Sequence, residues 1–211
     1  MITTEALSTP PADWDAMFPK DIPLPKDGIF ELGLVMGGTV SAGAYTAGVI
    51  DFLIEALDTW AAQREAHPDD TSIPSWAVQL KAVTGTSGGG VTAAILARAL
   101  SFKFPPVRKA ETSDPKICLQ NPLYRIWVEE LDVFSMLDTS DLVKGTKLHS
   151  LLNPKPLDLS KGLICNYEAT FAHAAQKRDY VASPLPVFLT LTNLRGIPCS
   201  LDMGGPRDLS Y

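Results

Sequence analysis

The stretch VTGTSGGGVT at residues 83–92 places one serine, Ser87, among four glycines, between an apolar segment and a helix-forming segment. Glycine loses the most backbone freedom on ordering and weakens both neighbouring elements, so a cluster at this junction indicates a special local geometry. Residues 85–89 fit the pattern GxSxG, which is typical of a nucleophile elbow when a strand precedes it and a helix follows.

The flanking segments have the periodicities that an elbow requires. Residues 78–85 predict a strand and residues 90–100 predict a helix. The same order occurs upstream, where a strand predicted at 30–36 ends at Gly37 and a helix is predicted at 44–57. Two strand-turn-helix units predict an α/β fold with a mainly parallel sheet that is covered on both faces.

Amphipathicity predicts which face of the helix 44–57 is buried. The face expected in the core carries Val49, Phe52, Leu53, Ala56 and Leu57. The face expected in solvent carries Asp51, Glu55 and Asp58.

The rest of the chain alternates between proline-rich and periodic segments. Prolines predict an extended arm over 1–28 and a long loop over 101–122, which is either a lid or a plain connection. We further expect three helices, at 123–137, 142–152 and 166–178. A strand is expected at 185–194, followed by the return arm of a hairpin at 195–204. Core positions are expected at Trp127, Phe134 and Phe171. Residues 29–211 are expected to form one domain, incomplete at its C-terminal end, because nothing after Gly205 resembles a terminal helix.

Composition and net charge limit the partners and locations that this chain can have. The 211 residues are 45% hydrophobic and 20% charged, which is typical of a globular protein, and the net charge of −6 disfavours nucleic acid as a partner. No secretory signal or membrane-spanning stretch is evident, and three scattered cysteines (118, 165, 199) fit a reducing compartment. A cytoplasmic location is therefore expected, with no metal site and no cofactor.

A second motif, MGGTVSAGAYTAGVIDFL at residues 36–53, lies upstream of the serine. Together with GTSGG it resembles the patatin-like phospholipases, in which a glycine-rich loop, a GAYxAGVL helix and a GxSxG elbow occur in this order. The resemblance is close over residues 30–100. It implies a three-layer αβα domain, and an enzyme that hydrolyses lipid acyl esters and contacts membranes peripherally.

The resemblance also implies roles for individual residues. Ser87 would be the catalytic nucleophile of a Ser-Asp dyad. The oxyanion hole would be formed by the backbone at Gly37, Gly38 and Thr39, and the nucleophile elbow by Gly85, Thr86, Gly88 and Gly89. The loop departs from the family at Thr39 and Val40, where glycine is usual, and at Ala42, where a basic residue is common.

The identity of the general base is left open, because the DGG or DGA turn that supplies the family's aspartate does not occur in this sequence. The expected explanation is that this segment is missing. The nearest substitute is Asp202 in DMGG. A triad through histidine is the third alternative, and its candidates are Asp138, Asp141 or Asp158 with His173, and Asp138 or Asp141 with His149.

Two other functions remain open from the sequence. The glycine turns could cradle a phosphate or nucleotide, although no GxxxxGK[ST] motif is present. The chain could instead be an inactive interaction protein with a patatin fold. The oligomeric state is not predicted.

Overall fold

The computed structural model describes most of the chain, namely residues 28–39, 43–108, 114–145, 150–192, 200–201 and 209–210. Two compact units are distinguished, one formed by Asp27–Thr190 and the other by Met1–Lys26 with Leu191–Tyr211. In the second unit, the strands Ser200–Leu201 and Leu209–Ser210 pair antiparallel. The predicted arm, apart from Gly28, lies outside the described residues, as does most of the predicted hairpin return.

The Asp27–Thr190 unit is built on a parallel sheet of three strands. The central strand β2 (Ala77–Gly85) pairs with β1 (Ile29–Met36) on one side and with β3 (Val187–Leu189) on the other. The first two strands and the parallel α/β class are confirmed. The strand prediction for 185–194 is too long, because only three residues after Pro186 run alongside the end of β2.

Two helices follow the first two strands, as predicted. Helix α1 (Gly43–Ala66) follows β1, and helix α2 (Gly88–Ala99) follows β2. Helix α2 packs against all three strands and against α1, so its apolar side chains form the centre of the core, with Ile95 and Leu96 almost fully buried. In the described part of the chain, no helix is long and apolar enough to span a bilayer.

The buried face of α1 differs from the predicted one. Of the expected set only Leu57 is buried, whereas Val49 and Phe52 are at least half exposed. The core instead receives Ala47, Ile50, Ile54 and Leu57. The reason lies in tertiary contacts that hydrophobicity does not encode, because α1 packs against α2 and against the segment that follows Asn121.

Asp51 is the clearest exception, because it was expected in solvent and is only 6% exposed. Its carboxylate accepts hydrogen bonds from Asn121 Nδ2 at 2.8 Å and from the Val107 N–H at 2.9 Å. Burial raises the pKa of Asp51, although these two donors act in the opposite direction. Both hydrogen bonds offset the cost of burying the carboxylate and attach α1 to the loop after α2.

The predicted helix 123–137 is broken into three pieces. After a short helix α3 (Pro115–Cys118), helix α4 (Pro122–Tyr124) continues into a turn of π-helix (Arg125–Glu130), and helix α5 (Val133–Met136) follows. The break has a local cause, because the Asp132 carboxylate caps α5 by accepting hydrogen bonds from two of its N–H groups. Such a cap competes with continuation of the preceding helix.

The helices predicted at 142–152 and 166–178 are also wrong in position or length. Residues 142–145 and 150–152 are not helical. The helix of this region is α6 (Lys155–Cys165), which follows Pro154 and contains Pro156 in its first turn, where proline is tolerated. Helix α7 (Tyr167–Phe171) stops early because Ala172 adopts a left-handed conformation with φ of 50°.

Candidate active site

Ser87 lies where β2 ends and α2 begins. Gly85 is the last residue of the strand, Gly88 is the first of the helix, and only Thr86 and Ser87 separate them. Ser87 has φ of 53° and ψ of −122°, a backbone conformation that non-glycine residues rarely adopt. Its side chain is exposed and makes no capping hydrogen bond to α2. The hydroxyl is therefore presented to solvent by a strained turn.

The glycines around Ser87 are required by close backbone approach. A Cβ atom on Gly85 would overlap the carbonyl oxygen of Gly89, and a Cβ atom on Gly89 would overlap the carbonyl of Met36. A Cβ atom on Gly88 would overlap the Thr39 hydroxyl. Gly85 and Gly89 therefore exclude larger residues because they meet backbone atoms, whereas at Gly88 the Thr39 side chain would have to move.

The two glycine turns meet at this point. The Gly89 N–H donates to the Gly37 carbonyl at 3.2 Å and to the Thr86 carbonyl at 2.9 Å, and the Thr86 N–H donates to the Met36 carbonyl at 3.0 Å. A Cβ atom on Gly38 would lie 3.5 Å from the Cβ atom of Ser87. The predicted oxyanion loop is thus in contact with the predicted nucleophile.

The two glycine turns contain N–H groups that have no acceptor among the described residues. Within the described residues, the N–H groups of Gly38, Thr39 and Gly88 donate no hydrogen bond. Gly88 also opens a helix of 12 residues, so the positive end of the helix dipole lies beside Ser87. Donors of this kind can stabilise negative charge on an oxygen bound to the serine.

The candidate bases do not meet Ser87 within the described part of the chain. Asp202 and His149 lie outside the described residues, so their predicted role is untested. His173 lies among aromatic rings, where its Nδ1 is 3.1 Å from the Tyr167 hydroxyl. His173 is half-buried, and burial lowers its pKa.

The three aspartates of the histidine alternative also have other surroundings. Asp138 accepts a hydrogen bond from the N–H of Ser140 at 2.6 Å. Asp141 and Asp158 line a cavity of about 400 Å³ whose lining does not include Ser87. No described residue among them forms a hydrogen bond with His173 or Ser87.

Sequence reasoning missed two residues that support the elbow. Trp127 was expected as an ordinary core residue, but its Nε1 donates at 3.0 Å to the hydroxyl of Thr92, which donates at 3.1 Å to the Gly88 carbonyl. Thr190, just after β3, donates through its hydroxyl to the Thr86 hydroxyl at 2.9 Å. Neither contact has a local sequence signal, because each joins residues far apart in the chain.

A cavity of the unit lies away from Ser87. It has a volume of about 1180 Å³ and is lined near the start of β2 by Trp60, Arg64, Trp76 and Tyr180, among others. Among the described residues, no group of three or more His, Cys, Asp or Glu side chains could hold a metal ion.

Comparison with known proteins gives one relative. The sequence is 38% identical over 189 residues to the uncharacterized protein y4iI of Sinorhizobium fredii (strain NBRC 101917 / NGR234), an alignment that includes 83% of this chain and 26% of that protein. The chain thus spans about a quarter of the length of the relative that it matches. No family model and no solved structure matches the sequence.

Proposed function

We propose that this chain carries the nucleophile of a patatin-like serine acyl hydrolase, with a three-layer αβα fold, which cleaves lipid acyl esters. The observation that carries the proposal is the conformation of Ser87, which is exposed and strained at a strand-to-helix turn, with Gly38 of the upstream turn against it. A conformation with positive φ costs stability, so its presence at an exposed serine favours a functional origin.

The proposed reaction is acyl transfer in two steps. The Ser87 hydroxyl attacks the ester carbonyl and gives its proton to a general base, which passes it to the leaving alcohol. The N–H groups of Gly38, Thr39 and Gly88 hold the oxygen that becomes negative. Water, activated by the same base, then releases the fatty acid and restores the serine.

The proposed general base is an aspartate, and Asp202 remains a candidate. The substrate is proposed to be a lipid ester that the protein reaches by peripheral contact with a membrane, from a cytoplasmic location. No cofactor is needed for this chemistry, since a serine, a base and backbone donors suffice.

Reaction with a fluorophosphonate probe tests the nucleophile. We expect a single covalent adduct on Ser87, detected by mass spectrometry, and release of p-nitrophenol from acyl esters when the segment that supplies the aspartate is present. Without that segment, turnover should be weak or absent. Ser87→Ala should lose the adduct completely, whereas Ser101→Ala should retain it, because Ser101 is an exposed serine just beyond the other end of α2. Equal reaction of both variants would contradict the proposal.

One observation favours a different function. Within the described residues, no carboxylate or imidazole forms a hydrogen bond with Ser87, which also fits a phosphate-binding module or an inactive interaction protein. Titration calorimetry with ATP and with inorganic phosphate separates these alternatives. Binding that Ser87→Ala leaves unchanged, together with no probe adduct on the wild type, would support the phosphate-binding alternative.

A further inference from the structure

The side chain of Trp127 lies against the first residues of the two helices that begin near Ser87. A Cβ atom on Gly43, the first residue of α1, would overlap the six-membered ring of the indole. A Cβ atom on Gly88, the first residue of α2, would lie 3.2 Å from the same ring. One aromatic side chain thus lies against the N-terminal residues of the two helices that follow the two turns.

The indole is also fixed by hydrogen bonds to the elbow. Its Nε1 donates to Thr92 Oγ1, and this hydroxyl donates to the carbonyl of Gly88. Thr92 is fully buried, so both bonds are shielded from water. The chain of two bonds therefore links Trp127 to the residue directly after Ser87.

The backbone that carries Trp127 is unusual and is held at its start. Trp127 lies in the π-helix Arg125–Glu130, which ends with a hydrogen bond from the Leu131 N–H to the Ile126 carbonyl. Single π-helical turns inside helices are frequent at functional sites. The helical segment is anchored where Asn121, its N-cap, donates to Asp51 of α1.

We infer that Trp127 is a positioning residue that holds the two glycine turns together, so that the N–H groups of Gly38, Thr39 and Gly88 converge on an oxygen bound to Ser87. The inference rests on the proposed function for the identity of that oxygen. Trp127 acts through Thr92 and through ring contact, and it does not itself touch the reacting atoms.

The test compares Trp127→Phe and Thr92→Val with a matched control. Trp127→Phe removes the indole N–H and part of the ring, and Thr92→Val removes the hydroxyl at nearly constant volume. The control is Trp60→Phe, because Trp60 is a half-buried tryptophan whose Nε1 has no hydrogen-bond partner among the residues that the structure describes. Thr92→Ser keeps the hydroxyl and should restore wild-type behaviour.

Two readouts are measured on each folded variant. The first is the rate of fluorophosphonate reaction at Ser87, which should fall by roughly tenfold in Trp127→Phe and Thr92→Val, less than the roughly 10²–10³-fold loss when an oxyanion donor itself is removed. The second is hydrogen exchange at the Gly89 amide, which bonds to both turns and should exchange faster, while the Leu80 amide of β2 is unchanged.

The outcomes separate the two ideas. If the wild type gives no adduct but Gly89 exchange rises in both variants, the proposed function fails and the positioning role stands as a structural one. If the wild type reacts at Ser87 and both variants match Trp60→Phe in rate and exchange, the inference about Trp127 is overturned.

Discussion

The two ends of β2 differ in their surroundings: polar groups are paired at one end, and the backbone is strained at the other. Beside Leu80 lies a paired polar cluster, in which Arg178 donates to both carboxylate oxygens of Asp58 and to the carbonyls of Leu100 and Phe102. The Tyr180 hydroxyl also donates to Asp58, and the Tyr180 carbonyl accepts from the Leu80 N–H. Beyond Gly85, at the other end, lies a strained serine, together with N–H groups and a buried Thr39 hydroxyl that have no hydrogen-bond partner among the described residues.

This difference indicates that the region beside Leu80 stabilises the fold and that the turn after Gly85 has another role. The ion pair between Arg178 and Asp58 joins α1 to the end of α2, whereas the turn at Ser87 keeps unfavourable backbone geometry. Strain of this kind persists only where the surrounding structure holds it in place. We therefore expect substitutions in the first region to change stability and substitutions in the second to change geometry.

The largest expected effect is at Arg178, whose side chain is 2% exposed. Arg178→Ala leaves the Asp58 carboxylate without its cation and two main-chain carbonyls without a donor, so we expect the free energy of unfolding to fall by about 3–5 kcal/mol. Urea denaturation monitored by circular dichroism measures this loss.

The matched control is Arg108, which pairs with Glu55 at the surface and has a side chain that is 66% exposed. Arg108→Ala should change stability little, because solvent screens an exposed ion pair. If both variants lost the same free energy of unfolding, the buried Arg178 ion pair would stabilise the fold no more than the exposed Arg108 ion pair does.

Part of this architecture could be predicted from sequence. Both strands and the helix after Ser87 were predicted to within two residues, because periodicity and glycine punctuation are local signals, whereas α1 continues nine residues beyond its predicted end. The contact between the two glycine turns also follows from parallel topology, since the ends of adjacent parallel strands meet at one edge of the sheet. The roles assigned to Gly37, Gly38, Thr39 and Ser87 stay predictions.

What could not be predicted depends on contacts between distant segments. Arg178 carries no local signal of burial, yet it is buried because Asp58 lies 120 residues away in sequence and close in space. Asp51 was misplaced for the same reason. Residue identity alone also does not specify backbone geometry, such as the π-helical turn at Arg125–Glu130 or the left-handed conformation of Ala172.

A smaller effect is expected for substitutions that fill the space between the turns. Gly89→Ala places a methyl group against the Met36 and Gly37 carbonyls, so the turns must separate, at a cost of about 1–3 kcal/mol. Gly48→Ala is the matched control, because this helical glycine has nothing within 4 Å of its added Cβ atom and alanine should stabilise α1 by about 0.5–1 kcal/mol. In thermal denaturation, a lower melting temperature for Gly89→Ala and a higher one for Gly48→Ala would support the expected contact between the turns. An unchanged melting temperature for Gly89→Ala would contradict it.

The smallest expected effect is a gain in stability at the serine itself. Glycine accepts positive φ at little cost, so Ser87→Gly should relieve the strain at φ of 53°, and we expect a net gain of about 1 kcal/mol after the greater freedom of glycine in the unfolded chain is subtracted. Ser87→Ala removes the same hydroxyl but keeps the strain, so it should leave the melting temperature close to that of the wild type. Because both variants lose the hydroxyl, their difference isolates the backbone contribution. If alanine and glycine at position 87 gave equal melting temperatures, the turn would not be strained, and a functional origin for its geometry would lose its physical basis.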